Sequence, residues 1–410
     1  MSWEQDCINL YDKNADKVGK IEYKQYKNKD KIEYEAYTLL PVFHNTAAAH
    51  ITVELHEKGE FLRAAARRRR NTIFIVEIVL LLILAVVLFF MSKLSKIEKT
   101  KLDMDRIEVN EDISQESRKI MKGYQTIAMF GLDNRSNGNL SQGRSDVIML
   151  ANINNDTKEV KLVSVYRDTY LDTGDGIFQK CNAAYAKGGP EQAISMLNVN
   201  LDLNITDYVT VDFNSIIECV DLLGGVDMEI TDDEASLMTG YIRELNELTG
   251  NKAENLTQGG TYTLNGVQAC AYARIRYGGG DDYRRTERQR TVLTAMVKKA
   301  QQSDLTTVNK LINEVCGDIQ TSFSNAELLA LASQVFQYSI GDTTGFPFTK
   351  TTKVLSKKTG DVVIPCDLSD NVKELHIFLY EDSAYTASDT VKQNSEKIVS
   401  DTGFKSGDGH

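Results

Sequence analysis

Tyr124–Gly131 reads YQTIAMFG, Asp146–Asn152 reads DVIMLAN and Glu159–Val165 reads EVKLVSV. Each is short, apolar or alternating, and rich in Val, Ile, Leu or Met, which is the pattern of strands in a sheet. The INNDTK joining the last two supplies hairpin residues, because Asn and Asp bond the local backbone and tolerate left-handed conformations. Outward from these strands the period changes. Pro190–Asn200 (PEQAISMLNVN) follows Gly188-Gly189 and suits a helix with Pro near its first turn, where the missing N–H has no helical partner to lose. Tyr208–Phe213 alternates like a strand. Ile216, Ile217, Val220 and Leu223 mark one helical face, closed by Gly224-Gly225, and Val226–Ile230 is a strand. Helices are expected over Asn265–Ala273, Arg285–Gln301, Leu305–Val315 and Asn325–Gln337, with a last strand at Leu375–Tyr380. Strands alternating with helices predict an α/β fold, an α/β/α sandwich on a mixed central sheet.

Upstream, Ile73–Met91 reads IFIVEIVLLLILAVVLFFM, apolar on all faces with Glu77 as its one charge. At 1.5 Å rise per residue, about 20 residues span a hydrocarbon core of roughly 30 Å, so one transmembrane helix is expected over residues 71–92. Arg63 and Arg67 to Arg70 precede it, whereas only Lys93 and Lys96 follow closely. The positive-inside rule then places residues 1–70 in the cytoplasm and the remainder outside the cell membrane. The expected organisation continues with a helical or flexible stalk (93–123), an extracellular catalytic domain (124–386) and a frayed polar tail (387–410).

The 410 residues carry a net charge of −11, which argues against nonspecific nucleic-acid binding. None of the five His lies between positions 57 and 375, so a His-based triad or a multi-His zinc site in mid-chain is excluded. The six Cys form no CxxC, which leaves a zinc ribbon without support. Cys316 with Cys366 is the best candidate disulfide, and Cys219 is expected as a buried thiol on its helix. Arginine is unevenly placed: six of the twelve that follow the apolar run fall between Arg274 and Arg290. Concentrated arginines in an acidic domain suit an anionic ligand held by bidentate contacts.

Three segments carry candidate chemistry. Asp133 and Arg135 follow the first strand, and Arg144 and Asp146 open the next. Two carboxylates beside arginines suit a Mg²⁺ held partly by substrate phosphate, although a solvated loop with incidental ion pairs has the same composition. Arg167 and Asp168 directly follow a strand, where α/β ligand sites commonly form. Arg274 and Arg276 precede Asp282, and Arg285, Arg288 and Gln289 lie at i, i+3 and i+4 in the first turns of a helix, where backbone N–H groups also favour an anion.

The ordered set GLDNR, RSD, SVYRDT, NAAYAKGGPEQA, DYVTVDF, VDLLGGVDMEI, LNGVQACAYARIRY and DDYRRTERQR, spread over roughly residues 124–300, resembles the LytR–CpsA–Psr family. The single N-terminal membrane helix is similar too. The resemblance implies an α/β sandwich whose core holds a polyprenyl chain. It also implies a phosphotransferase that moves a glycopolymer, of teichoic-acid or capsule type, from a polyprenyl pyrophosphate carrier to peptidoglycan at the outer face of a Gram-positive membrane. By the same resemblance, Asp133 and Asp146 are Mg²⁺ positions. Arg135, Arg144, Arg167, Arg274, Arg276, Arg285, Arg288 and Gln289 are pyrophosphate positions, and Asp133, Arg167 and Asp282 are the catalytic set. Either Asp133 or Asp282 takes the acceptor proton. Cys270 stands where Leu is more usual, and the 70-residue cytoplasmic segment is longer than in many members. A polyprenyl pyrophosphate hydrolase and a lipid-phosphate-binding regulator without turnover remain open as alternatives.

Overall fold

The computed structural model describes residues 3–11, 17–28, 31–38, 98–99, 102–132, 140, 143–276, 282–304, 307, 310–311, 319–357 and 359–409. The chain divides into two compact units, Met1–Leu88 and Phe89–His410. In the first, β1 (Trp3–Tyr11), β2 (Lys17–Asn28) and β3 (Lys31–Thr38) form an antiparallel meander. The sequence reading left this region without a period, yet Ile21 and Tyr23 alternate with Lys20, Glu22 and Lys24, a strand pattern diluted by charge. The apolar run Ile73–Met91 lies outside the described residues. Among the described residues, no helix is long and apolar enough to cross a membrane.

The second unit begins with β4 (Glu98–Lys99), a 3₁₀ turn (Met104–Arg106) and α1 (Gln115–Met121). It continues through β5 (Tyr124–Leu132), β6 (Ser145–Asn154), β7 (Glu159–Val165), β8 (Tyr170–Asp172) and β9 (Phe178–Lys180) to α2 (Ala183–Leu201). Next come β10 (Asp207–Asp212), α3 (Phe213–Leu222), β11 (Val226–Ile230), α4 (Asp232–Thr249), β12 (Gly260–Leu264), α5 (Gly266–Arg274) and α6 (Asp282–Gln302). The unit closes with β13 (Ile319–Thr321), α7 (Asn325–Ser333), β14 (Ser339–Phe346), β15 (Lys350–Ser356), β16 (Gly360–Pro365), α8 (Leu368–Tyr380) and α9 (Asp389–Thr402).

Seven strands form the central sheet in the order β14-β7-β6-β5-β10-β13-β4. β5, β6 and β7 are antiparallel neighbours, whereas β10 runs parallel to β5 and β14 parallel to β7, so the sheet is mixed as expected. Its alternation buries two faces. Ala128, Phe130, Leu132, Ile148 and Leu150 join Ile194 and Leu197 of α2, Leu375 of α8 and Ile398 of α9 in one core. Ile127, Met149, Ala151 and Leu162 point the other way, towards Phe323 and Leu293. Helices α3 to α6 build a further core around Val220, Met238, Val267 and Val292. The Gly224-Gly225 stop behind α3 is real: both residues have positive φ, 78° and 91°.

Several sequence expectations are corrected. Residues 102–123 of the expected stalk belong to the folded domain, since Leu102, Ile107, Ile113 and Met121 are buried in the first core. Leu375–Tyr380 is helical rather than a strand. Asp367 caps α8, and Val372, Leu375, His376 and Leu379 are buried at helical spacing while Ile377 between them is 42% exposed. A six-residue apolar run does not distinguish the two states. The tail is not frayed: α9 is capped by Ser388 and buries Val391, Asn394, Ser395, Ile398 and Thr402, a period hidden because three of the five are polar. Cys366 is a buried free thiol, so the Cys316–Cys366 disulfide is not formed. Cys219 is only partly buried, against the helical core. Leu305–Val315 lies largely outside the described residues.

Candidate functional site

Strand β7 ends at Val165 and delivers Tyr166, Arg167 and Asp168 to the edge of the sheet, held there by the Tyr166 N–H donating to the Phe346 carbonyl at 3.0 Å. Asp146, near the start of β6, receives a hydrogen bond from Arg167 Nη1 at 2.5 Å. Arg167 Nε lies 3.8 Å from both Asp168 Oδ2 and Asp282 Oδ1, and Lys180 Nζ lies 2.9 Å from Asp168 Oδ1. Asp282 opens α6, and Arg285, one turn later, brings Nη2 to 2.7 Å from Asp282 Oδ1. That contact is an ion pair at an angle too poor for a hydrogen bond, because Nη2 remains without a hydrogen-bond partner.

The cluster is under-satisfied. Arg167 Nε, Arg285 Nε and Nη2, Asp282 Oδ2 and Gln289 Oε1 are buried with no hydrogen-bond partner among the described residues. Buried polar groups are ordinarily paired, so this density of unmatched atoms in one place marks a ligand site. Burial is the largest influence on Arg285 and pushes its guanidinium down to about 10. Asp282 and Asp146 oppose that depression, while Arg167 and Arg276 add to it by repulsion. Burial also acts to lower Arg167, but Asp146, Asp282 and Asp168 outweigh it and raise the group above its ordinary value.

Beside the cluster opens an apolar cleft of about 120 Å³, lined by Met129, Val147, Met149 and Val209 of the sheet and by Ile216, Val292, Leu293 and Met296 of the helices. One stripe of α6 runs from the polar to the apolar part: Arg285 and Gln289 are followed by Val292, Leu293 and Met296 at helical spacing.

The structure thus brings together Asp146, Arg167, Asp282 and Arg285, with Gln289 at the junction and the exposed Arg276 close enough to repel Arg285. Arg144 is exposed, two residues before Asp146. Two expected residues point elsewhere. Arg274 pairs with Glu244 at 3.2 Å, its guanidinium 5.2 Å from the Phe213 ring and 5.8 Å from the Tyr241 ring. Arg288 donates from Nε to Glu234 at 3.0 Å and lies over Tyr272. It is about 60° around the helix from Arg285, enough to face α4 instead of the sheet edge. Asp133 and Arg135 lie outside the described residues. Tyr166, Lys180, Tyr283 and Lys350 also stand at the site but were not assigned from sequence. The first and third had a signal, being adjacent to Arg167 and Asp282.

Whether Mg²⁺ fits can be judged from the donors. Among the described residues, no group of three or more His, Cys, Asp or Glu side chains gathers for a metal. The Asp146 carboxylate is a hard oxygen donor beside the phosphate-type site, which suits Mg²⁺ that keeps most of its waters and is bound through one or two carboxylates and substrate phosphate.

The LytR_cpsA_psr family model matches residues 84–353, well over half of the chain. The chain belongs to that family. It is 30% identical over 210 residues to the polyisoprenyl-teichoic acid–peptidoglycan teichoic acid transferase TagU of Enterococcus faecalis, covering 50% of this chain and 64% of TagU. It is 31% identical over 208 residues to biofilm regulatory protein A of Streptococcus mutans, covering 48% of this chain and 49% of that protein. The matched part is therefore less than two thirds of either relative's length. The solved structure of TagT bound to LI-WTA superposes with a TM-score of 0.53 at 21% identity, covering 69% of this chain and 98% of that one, and supports the fold. Within this LytR_cpsA_psr member, the SVYRDT and DDYRRTERQR segments supply Arg167, Asp282, Arg285 and Gln289 to one place.

Proposed function

We propose that this protein is a phosphotransferase that attaches a glycopolymer, of teichoic-acid or capsule type, from a polyprenyl pyrophosphate carrier to peptidoglycan at the outer membrane face. The α6 stripe carries the reading: guanidinium and amide groups at its start, then Val292, Leu293 and Met296 along a cleft. That order matches an amphiphile with an anionic head and a long apolar tail. The names of the teichoic acid transferases among its relatives support the same class of substrate.

In this reading the pyrophosphate accepts hydrogen bonds from the unmatched Arg167 Nε and Arg285 Nε and Nη2, with Arg276 and Arg144 supplying exposed charge. Arg135 and Asp133, which precede β6 in the sequence, complete the site. The acceptor hydroxyl oxygen attacks the sugar-side phosphorus, the bond from that phosphorus to the bridging oxygen breaks, and the lipid monophosphate leaves. Asp282 Oδ2, buried and unpartnered, is the described carboxylate oxygen available to receive the acceptor proton. The guanidinium groups stabilise the charge that builds on the phosphoryl oxygens in a site of low polarisability, where such contacts act most strongly. Asp133 and Asp146 would hold Mg²⁺, which adds positive charge at the same oxygens. Ile73–Met91 anchors the domain, with residues 1–70 on the cytoplasmic side.

Arg167→Lys tests the geometry of the site. Lysine keeps the charge but loses the fork that reaches Asp146 and Asp282 together, so transfer should fall by about 100-fold with the fold intact. Near-normal transfer would contradict the assignment. Lipid binding without any turnover in the unmodified protein would favour the regulatory reading that the Streptococcus mutans relative's name raises.

A further inference from the structure

One flank of the site is not used by the reaction described so far. Tyr283 follows Asp282 on α6, and Tyr166 precedes Arg167. Their rings meet edge to face with centroids 4.6 Å apart. Tyr166 is fixed by close approach to β14: a Cβ at Gly345 would sit 2.1 Å from its hydroxyl oxygen. Lys350, at the start of β15, places Nζ 4.7 Å from the Tyr283 centroid and 5.4 Å from that of Tyr166. Its ammonium donates to the Phe348 carbonyl at 3.2 Å, and among the described residues it has no ion-pair partner. Arg290, two turns after Tyr283 on α6 and near enough for its charge to act on Tyr166, is 8% exposed, and its Nε and Nη1 lack hydrogen-bond partners among the described residues.

Resting on the reading above, we infer that Tyr283 and Lys350, backed by Arg290, form a separate subsite for the acceptor, an acidic saccharide whose ring packs on Tyr283 and whose carboxylate meets Lys350. Three observations converge on it. The first is charge: Arg167 and Arg285 share Asp146 and Asp282, whereas among the described residues Lys350 and Arg290 have no carboxylate in contact. The carboxylates whose charge is felt on this flank are Asp282 and Glu287 at Tyr166, Asp282 and Asp361 at Tyr283, and Glu287 at Arg290. Burial lowers the Lys350 ammonium from its ordinary value, as expected of a half-desolvated cation that lacks a counter-ion.

The second is direction. Tyr283 and Arg290 are seven residues apart, two turns, and share one side of α6. The stripe Arg285, Gln289 and Met296 that leads into the apolar cleft occupies another side. A lipid in the cleft leaves the Tyr283 side open to a second substrate. The third is the base. Tyr283 directly follows Asp282 on α6, so an acceptor packed on the Tyr283 ring sits beside the residue that carries the unpartnered Oδ2. Peptidoglycan, with sugar rings and carboxylate-bearing stems, has the required chemistry.

The test uses the full chain in detergent, with soluble uncrosslinked peptidoglycan strands as one probe and polyprenyl pyrophosphate as the other. Unmodified protein should bind both. Lys350→Met and Tyr283→Ala should each weaken strand binding by about 10-fold, the effect of one charge-assisted contact, while Lys350→Arg retains it. Amidating the strand carboxylates should lower wild-type affinity to that of Lys350→Met. Lipid affinity should stay within about 2-fold throughout, and thermal melting reports folding. Equal strand binding by Lys350→Met and wild type, or no strand binding by lipid-loaded wild type, overturns the subsite. Failure of wild type to bind the lipid instead overturns the donor reading, and is seen separately.

Discussion

Arg285→Met removes a guanidinium that is 4% exposed while keeping an unbranched apolar stem. Two of its nitrogens, Nε and Nη2, are without hydrogen-bond partners until an anion arrives. Hydrogen bonds to charged groups contribute about 1.5–3 kcal/mol each, so two lost contacts give at least roughly 3 kcal/mol, or about 100-fold in lipid pyrophosphate affinity. Stability should move the opposite way or not at all. Depression of the guanidinium from its ordinary value to about 10 corresponds to a desolvation penalty of roughly 3 kcal/mol in the folded state, offset in part by Asp282 losing its nearest cation. The sign with pH follows from that depression. Above about 10, and up to the ordinary guanidinium value, the unfolded chain holds the Arg285 proton more tightly than the folded one, so this residue's penalty fades as pH rises through about 10. The difference in stability between wild type and Arg285→Met should shrink over the same interval, and taking the difference removes the contribution of Tyr283, which burial pushes up to about 12. Calorimetric titration with the lipid and denaturant unfolding at pH 7 to 11 measure both quantities. An affinity within about 3-fold of wild type, or a stability loss beyond about 1 kcal/mol at pH 7, would refute the reasoning.

Arg288→Ala should behave inversely: it leaves Glu234 without its buried partner and should cost about 3 kcal/mol in unfolding, with lipid affinity within about 3-fold of wild type. Asp146→Asn should abolish the tightening of lipid pyrophosphate by Mg²⁺ that wild type shows. Lipid binding with and without Mg²⁺ measures this, and an unchanged Mg²⁺ effect in the variant would exclude Asp146 as a ligand. Protease added to intact protoplasts should remove residues beyond about 93 and spare the first 70, whereas a protected C-terminal domain would place the site on the wrong side of the membrane.

The sheet was legible because β5, β6 and β7 are short runs rich in Val, Ile, Leu or Met, with turn residues between β6 and β7. The elements that escaped did so for identifiable reasons. In α8 an apolar run suits a buried helix as well as a strand, and in α9 buried Asn394, Ser395 and Thr402 mask the period. At the site, Arg167, Asp146, Asp282 and Arg285 were found as charges at element ends. Sequence spacing did not separate Arg285 from Arg288, because 60° around one helix decides between the ligand cluster and Glu234. Arg274, the last residue of α5, is drawn to Glu244 on a helix the sequence reading had not assigned. Lys350 lies far along the chain from both tyrosines it covers, so only the fold unites them.

The central claim is phosphoryl transfer, and the fate of one phosphorus tests it directly. A polyprenyl pyrophosphate-linked glycopolymer labelled with ³²P at the sugar-side phosphorus would be incubated with the purified full chain, Mg²⁺ and peptidoglycan strands. The account predicts label in the strands as a phosphodiester, with unlabelled lipid monophosphate released alongside and both products lost in Arg167→Lys. Label appearing on free polymer phosphate would identify a hydrolase, and label remaining on the lipid would identify a binding protein. Either outcome would contradict the transferase assigned here.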